Sequence, residues 1–245
     1  MRGTESLRAL GDDIIRSIPR DMRQPCKGIR TRDAWTVSMP QFTQQFLGLY
    51  REGGRLSPDE SCIGASTFEY CWVNFYDKEG NRKPGEVRTN TVIIDHSLYQ
   101  PEQLGGEVNG RGRFTEMHEC CHHLMVKAGF QKAEPVKYRI VKEETTEEKE
   151  TDFLAAYLLM PDSVLTAIMM ELDRDTFISY EGFIPEAQRK TIHRMALALK
   201  VSDTALNKRL DDAGFFEYRS IYEFYDPDNP NFDPARRICD DKQRT

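Results

Sequence analysis

The stretch Arg113-Phe114-Thr115-Glu116-Met117-His118-Glu119-Cys120-Cys121-His122-His123-Leu124-Met125 decides how the rest of the chain is read. Met117, Cys121, Leu124 and Ala128 recur at helical spacing, an apolar stripe that predicts a helix over 113–128. Gly129 stands where such a helix would stop.

On that helix His118 and His122 lie four residues apart, so their imidazoles leave the same face one turn apart. Two nitrogens so placed can bind a single Zn²⁺ at about 2.0–2.1 Å. Glu119 follows the first histidine, where a carboxylate can lie beside a metal without ligating it. There it can take a proton from an attacking water and deliver it to a leaving amine. The HExxH pattern arises by chance in roughly one chain in a hundred of this kind. Two surface histidines on an ordinary amphipathic helix are therefore the competing reading.

A catalytic zinc uses three protein ligands and keeps one position open. The segment EKETDFLAAYLLMP predicts a second helix over 147–160, ended by Pro161. Glu148 and Asp152 share one face of it. Glu148 is the candidate third ligand, and Asp152 can accept the remaining ring N–H of a ligand histidine. Six of the residues from 143 to 152 are acidic, which alone would suggest a solvated run. The apolar FLAAYLLM weakens that alternative, because a buried face bearing two carboxylates needs a partner.

RFTEMHECCHHLM followed by EKETDFLAAYLLMP resembles the ImmA/IrrE family of bacterial metallopeptidases. The similarity is dense from about 91, at the VIID segment, to about 161. It continues more weakly through MALALKVSDTALNKRLDDAGF. The resemblance implies a zincin-like fold, with His118, His122 and Glu148 as zinc ligands and Glu119 as the catalytic carboxylate. It also implies a narrow protein substrate: a transcriptional repressor of helix-turn-helix type, often carried on a mobile element and removed by regulatory proteolysis. The chain departs from the family where Cys121 replaces the small residue that usually precedes the second histidine. Cys120 points about 200° away from His118, a poor direction for a ligand. His123 is off the ligand face and is expected beside the site or at the surface.

Around this centre the expected fold class is α+β. A small, mostly antiparallel sheet lies beside the active-site helix and the ligand helix, and a helical, helix-turn-helix-like subdomain follows. Strands are predicted at 66–76 and 89–95, and helices at 5–18, 39–51, 162–172, 185–199 and 203–212. Residues 19–37 read as a linker, 131–146 are charged and unassigned, and Gly105, Gly106, Gly110 and Gly112 suggest a flexible approach to the active-site helix. The domain division expected is 1–60 (N-terminal helices and linker), 61–172 (metallopeptidase), 173–225 (helical subdomain) and 226–245 (loosely structured tail).

The formal net charge of −6 argues against a protein that coats nucleic acid. Between 189 and 210, however, six Lys/Arg face one acid, so contact with nucleic acid through the helix pair stays open as a lesser reading. No apolar run approaches the roughly 20 residues that span a bilayer. The N-terminus does not read as a secretory signal, so a cytoplasmic protein with no membrane partner is expected. Six cysteines without a CxxC pair suit free thiols there. His96, His193, Tyr138 and Tyr157 are open candidates for stabilising an oxyanion. The alternative function is a zinc-containing regulator or interaction module with little proteolytic activity.

Overall fold

The computed structural model describes residues 3–98, 110–141, 145–174, 177–180 and 184–218. In chain order the N-terminal half contains α1 (Thr4–Ser17), β1 (Arg23–Pro25), β2 (Trp35–Val37), β3 (Tyr50–Gly54), β4 (Cys62–Thr67), β5 (Cys71–Tyr76), β6 (Arg82–Val87) and β7 (Thr91–Asp95). Then follow α2 (Gly110–Lys127), β8 (Val136–Ile140), α3 (Thr146–Leu159), α4 (Asp162–Leu172), β9 (Ile178–Tyr180), α5 (Glu186–Leu199), α6 (Asp203–Asp212) and β10 (Phe216–Tyr218). The fold class is α+β.

The central sheet has the order β3-β7-β4-β8; β3 runs parallel to β7, and the other two pairings are antiparallel. β4 and β7 are buried at every position, because both faces of the sheet are covered. On one face Val92 and Ile94 join Met117 and Cys121 of α2 in the main core. On the other, Ala65 and Ile93 meet Val73 and Val87 of the β5–β6 hairpin.

The predicted helices at 5–18, 113–128, 147–160, 162–172, 185–199 and 203–212 correspond to α1–α6, with ends shifted by a few residues at most. Along the predicted stripe Met117 and Cys121 are buried and Leu124 half-buried, but Ala128 lies just past α2 and is exposed, and Met125 is the core residue of the last turn. Three expectations fail, and one unassigned segment gains a strand. Residues 39–51 form only a π-helical turn at Gln41–Phe46; Gly48, at φ 69°, reverses the chain, which then enters the sheet as β3. The strand expected at 66–76 breaks in two after Thr67, because β4 stays in the central sheet while β5 crosses to cover its far face. The linker at 19–37 contains the antiparallel β1–β2 pair. In the unassigned segment 131–146, β8 pairs with β4; its alternation puts Lys137 and Arg139 on one face and Val136 and Tyr138 on the other. Gly105, Gly106 and the tail 226–245 lie outside the described residues.

The expected boundary at 60/61 falls inside one continuous core. Leu7, Ile14, Trp35, Val37 and Phe42 share the main cluster with Met117, Leu154 and Leu206. β3, also before residue 60, is an integral strand of the central sheet. Gly11 of α1 packs so closely on Tyr157 that an added Cβ would stand 2.5 Å from the ring. At the other end, the helix pair α5–α6 turns at Lys200, which takes the left-handed conformation (φ 58°), and Ser202 caps α6 by accepting from the Ala205 amide. Among the described residues no single helix is long and apolar enough to cross a membrane.

Phe42 is fully buried, and its truncation to alanine should cost about 3–5 kcal/mol. In urea denaturation, Phe42→Ala is expected to shift one unfolding transition seen both by far-UV circular dichroism and by metal release. A separate early transition, with the metal retained, would restore an independent N-terminal unit.

Candidate metal centre

α2 owes its position to burial on all sides. Every residue from Thr115 to His122 is buried, including two histidines and two glutamates. Each polar group is met from a different direction. Arg113 donates to the Val37 carbonyl at 3.0 Å and to Thr36 at 2.9 Å. Glu116 accepts from Thr43 at 2.7 Å and from Arg51 at 2.8 and 3.0 Å, a buried ion pair. Glu119 faces the sheet, where Ser66 donates to its carboxylate at 2.6 Å.

The two histidines face α3. His118 Nδ1 lies 2.7 Å from Asp152 Oδ1, and His122 Nδ1 lies 2.9 Å from Gln131 Oε1. With both Nδ1 atoms engaged as donors, both Nε2 atoms are turned to the opposite side, where each can carry a proton or meet a cation. The Glu148 carboxylate reaches within 2.9 Å of His118 Nε2 and 3.4 Å of His122 Nε2. Those contacts are not aligned as hydrogen bonds, and both Nε2 atoms lack a hydrogen-bond partner among the described residues. Three ligand atoms on arms of about 2.0–2.1 Å around a tetrahedral ion would stand about 3.3 Å apart. His118, His122 and Glu148 together thus form a group able to hold a metal ion, with their ligand atoms within 4.8 Å of one another.

Local sequence explains how each member arrives. Thr145 caps α3 by accepting from the Glu148 amide at 3.1 Å, which places Glu148 in the first turn of the helix. The positive end of the helix dipole favours a carboxylate there. Burial would raise the Glu148 pKa, but the two imidazoles outweigh it and hold the group well below the usual carboxylate range. Asp152 behaves likewise: burial is outweighed by the His118 contact and by Arg139, whose Nη2 lies 2.9 Å away. Gln131 arrives by a different route. Gly129 takes φ 73°, the chain turns back over the end of α2, and the Phe130 and Gln131 amides donate to the Met125 carbonyl. Gln131 is then held by donation to Thr151 at 2.8 Å.

Glu119 differs from Glu148 in kind. It is completely buried, and burial pushes its carboxyl up to about 7, against the opposing pull of His122, Ser66 and Arg139. Its Oε1 has no hydrogen-bond partner among the described residues. Gly64 makes room for it, since a Cβ there would stand 2.5 Å from Oε1.

Other expected candidates stand elsewhere. His123 is half-buried and stacks on Phe68 at 4.3 Å. His193 is exposed and pairs with Asp203 at 3.0 Å. Tyr157 donates to Asp12 of α1 at 2.6 Å, and Tyr138 packs on the far face of the sheet. His96 is exposed in a 3₁₀ turn after β7. Cys120 and Cys121 are fully buried, and burial raises both thiols, so neither offers a thiolate. The five described cysteines are all free; Cys239 lies outside the described residues. Of the six bases counted between 189 and 210, Arg189 and Lys190 pair with Glu186. Arg209 is buried against Asp162 and the Tyr157 ring.

No protein-family model matches this sequence, and no curated protein is significantly similar to it.

Gln131 and Asp152 each anchor one histidine, and losing such an anchor weakens metal affinity about 10–100-fold. Gln131→Ala and Asp152→Ala should each do so in a chelator competition, and the double variant should lose more than either. An affinity unchanged in both variants would detach these two residues from the metal. Gly64→Ala should bind metal but displace the Glu119 carboxylate, seen as a lowered thermal midpoint that Glu119→Ala restores only in part, because it removes the closer clash and leaves Thr115 Cγ2 at 2.8 Å.

Proposed function

We propose that this protein is a zinc-dependent endopeptidase that hydrolyses a peptide bond in a specific regulatory protein. The observation that carries this reading is the convergence of His118 Nε2, His122 Nε2 and Glu148 beside Glu119, whose Oε1 has no partner among the described residues. Two imidazoles and one carboxylate are a donor set suited to zinc at a catalytic site. When bound, the metal supplies a Lewis acid able to acidify water and polarise a carbonyl.

The chain's own residues do the rest. Asp152 and Gln131 hold the imidazoles in the tautomer that leaves Nε2 free. Ser66 fixes one oxygen of Glu119 and leaves the other to receive a proton. A carboxyl raised to about 7 exchanges a proton near neutral pH, as a base for the attacking water and then as an acid for the departing amine. The likeness of α2 and α3 to the ImmA/IrrE helices supports a peptide substrate, a zincin-like arrangement and a cytoplasmic setting. It makes a helix-turn-helix repressor encoded near this gene the first candidate to test. Three of the six bases counted on α5–α6 are paired or buried, which favours the peptidase over the nucleic-acid-binding regulator.

His118→Ala, His122→Ala and Glu148→Ala should each lose most of the zinc by elemental analysis. Glu119→Gln should keep zinc and fold while peptide hydrolysis falls by about 10²–10⁴-fold or more. The assay is cleavage of candidate repressors from the same locus, read by mass spectrometry of the fragments. Equal rates in Glu119→Gln and wild type would remove Glu119 from the chemistry. A zinc-loaded wild type that cleaves none of them would favour the regulator.

A further inference from the structure

We propose that Arg139 binds the anionic oxygen of a ligand at this site: in catalysis, the carbonyl oxygen that gains negative charge as the peptide bond is attacked. The proposal rests on the peptidase reading and adds a residue to it.

Arg139 lies on β8 directly opposite Gly64 of β4. Opposed residues on paired strands present their side chains to the same face of a sheet. The Gly64 face is the one that carries Glu119, since a Cβ there would touch Glu119 Oε1. Guanidinium and carboxylate are therefore on one face of the sheet, both next to a position that has no side chain. Two contacts hold the guanidinium: Nη2 donates to Asp152 at 2.9 Å, and the group lies over the Phe114 ring, 5.2 Å from its centre. Nη1 is buried and has no hydrogen-bond partner among the described residues.

A guanidinium has five donors in a fixed fork, and a buried one left unmet is costly. Holding Asp152 accounts for Nη2 alone. Nη1 is a donor without an acceptor, and Glu119 Oε1 is an acceptor without a donor, yet they do not satisfy each other. A peptide under attack by water supplies both. The water oxygen forms a bond to the carbonyl carbon and gives its proton to Glu119. The carbonyl π pair moves onto oxygen, where Arg139 meets the charge. The C–N bond then breaks, the oxygen regains its double bond, and Glu119 returns the proton to the amine. Donors aimed at such an oxygen act where the charge develops.

Inorganic phosphate on cobalt-substituted protein is the probe, followed through the visible absorption of the cobalt. Wild type should bind phosphate with a spectral change, and Arg139→Gln should bind it about 10–100-fold more weakly, as loss of a charge-assisted hydrogen bond requires. Arg139→Lys, which keeps the charge without the fork, should fall between them. Arg139 also holds Asp152, so cobalt affinity is measured on Arg139→Gln as well and should fall by less than phosphate affinity does. Equal phosphate affinity in Arg139→Gln and wild type overturns the proposal. So does a wild-type spectrum that phosphate does not move, or a fall in the cobalt affinity of Arg139→Gln as large as its fall in phosphate affinity, which would leave Arg139 only the task of holding Asp152. If wild type takes up no cobalt, the metal-site reading itself fails, and that is seen before phosphate is added.

Discussion

A helix carrying two histidines and two glutamates, buried on every side, forces the architecture around it. Each polar group of α2 would be costly if left without a partner, so every neighbouring element must bring one. β2 accepts from Arg113, β3 and the π-helical turn donate to Glu116, and β4 donates to one oxygen of Glu119. α3 and the turn after α2 meet the Nδ1 atoms of the two histidines. The sheet, the N-terminal segment and α3 are thus held in register by one helix.

This arrangement separates two glutamates by environment. Glu148 stands at the positive end of α3 facing two imidazoles, which stabilise its charge; Glu119 is buried against a sheet with one hydroxyl for company, which penalises its charge. One residue type therefore offers a permanent anion to a cation and, close by, a group that trades its proton near neutrality. β8 ties the two halves together. Arg139 touches the Asp152 that orients His118, and Lys137 lies 3.5 Å from the Gln131 oxygen that orients His122.

The outer elements brace this centre. α1 packs on α3 through Gly11 and Tyr157, and the buried Arg209 of α6 lies under the same tyrosine ring. Gly110, where α2 begins, sits against the Val201 backbone in the turn between α5 and α6. The helix pair therefore spends part of its basic charge on internal packing.

Sequence alone determined what depends on short-range spacing. The period of Met117 and Cys121 marked α2, the four-residue step from His118 to His122 set their common face, and the step from Glu148 to Asp152 did the same on α3. Tertiary structure decided everything that depends on which distant segments meet. Tyr50 and Arg51 of β3 read as the end of a helix until the pairing with β7 captured them, and β8 was hidden because its alternate residues are cations facing a polar site rather than water. Gln131 could have been suspected from the stop at Gly129, but that it lands on His122 follows only from the turn's left-handed geometry. Gly64 and Arg139 are 75 residues apart and carry no shared local pattern. Only the hydrogen-bonded register of β4 and β8 puts them side by side, because register is a property of two strands and not of either one.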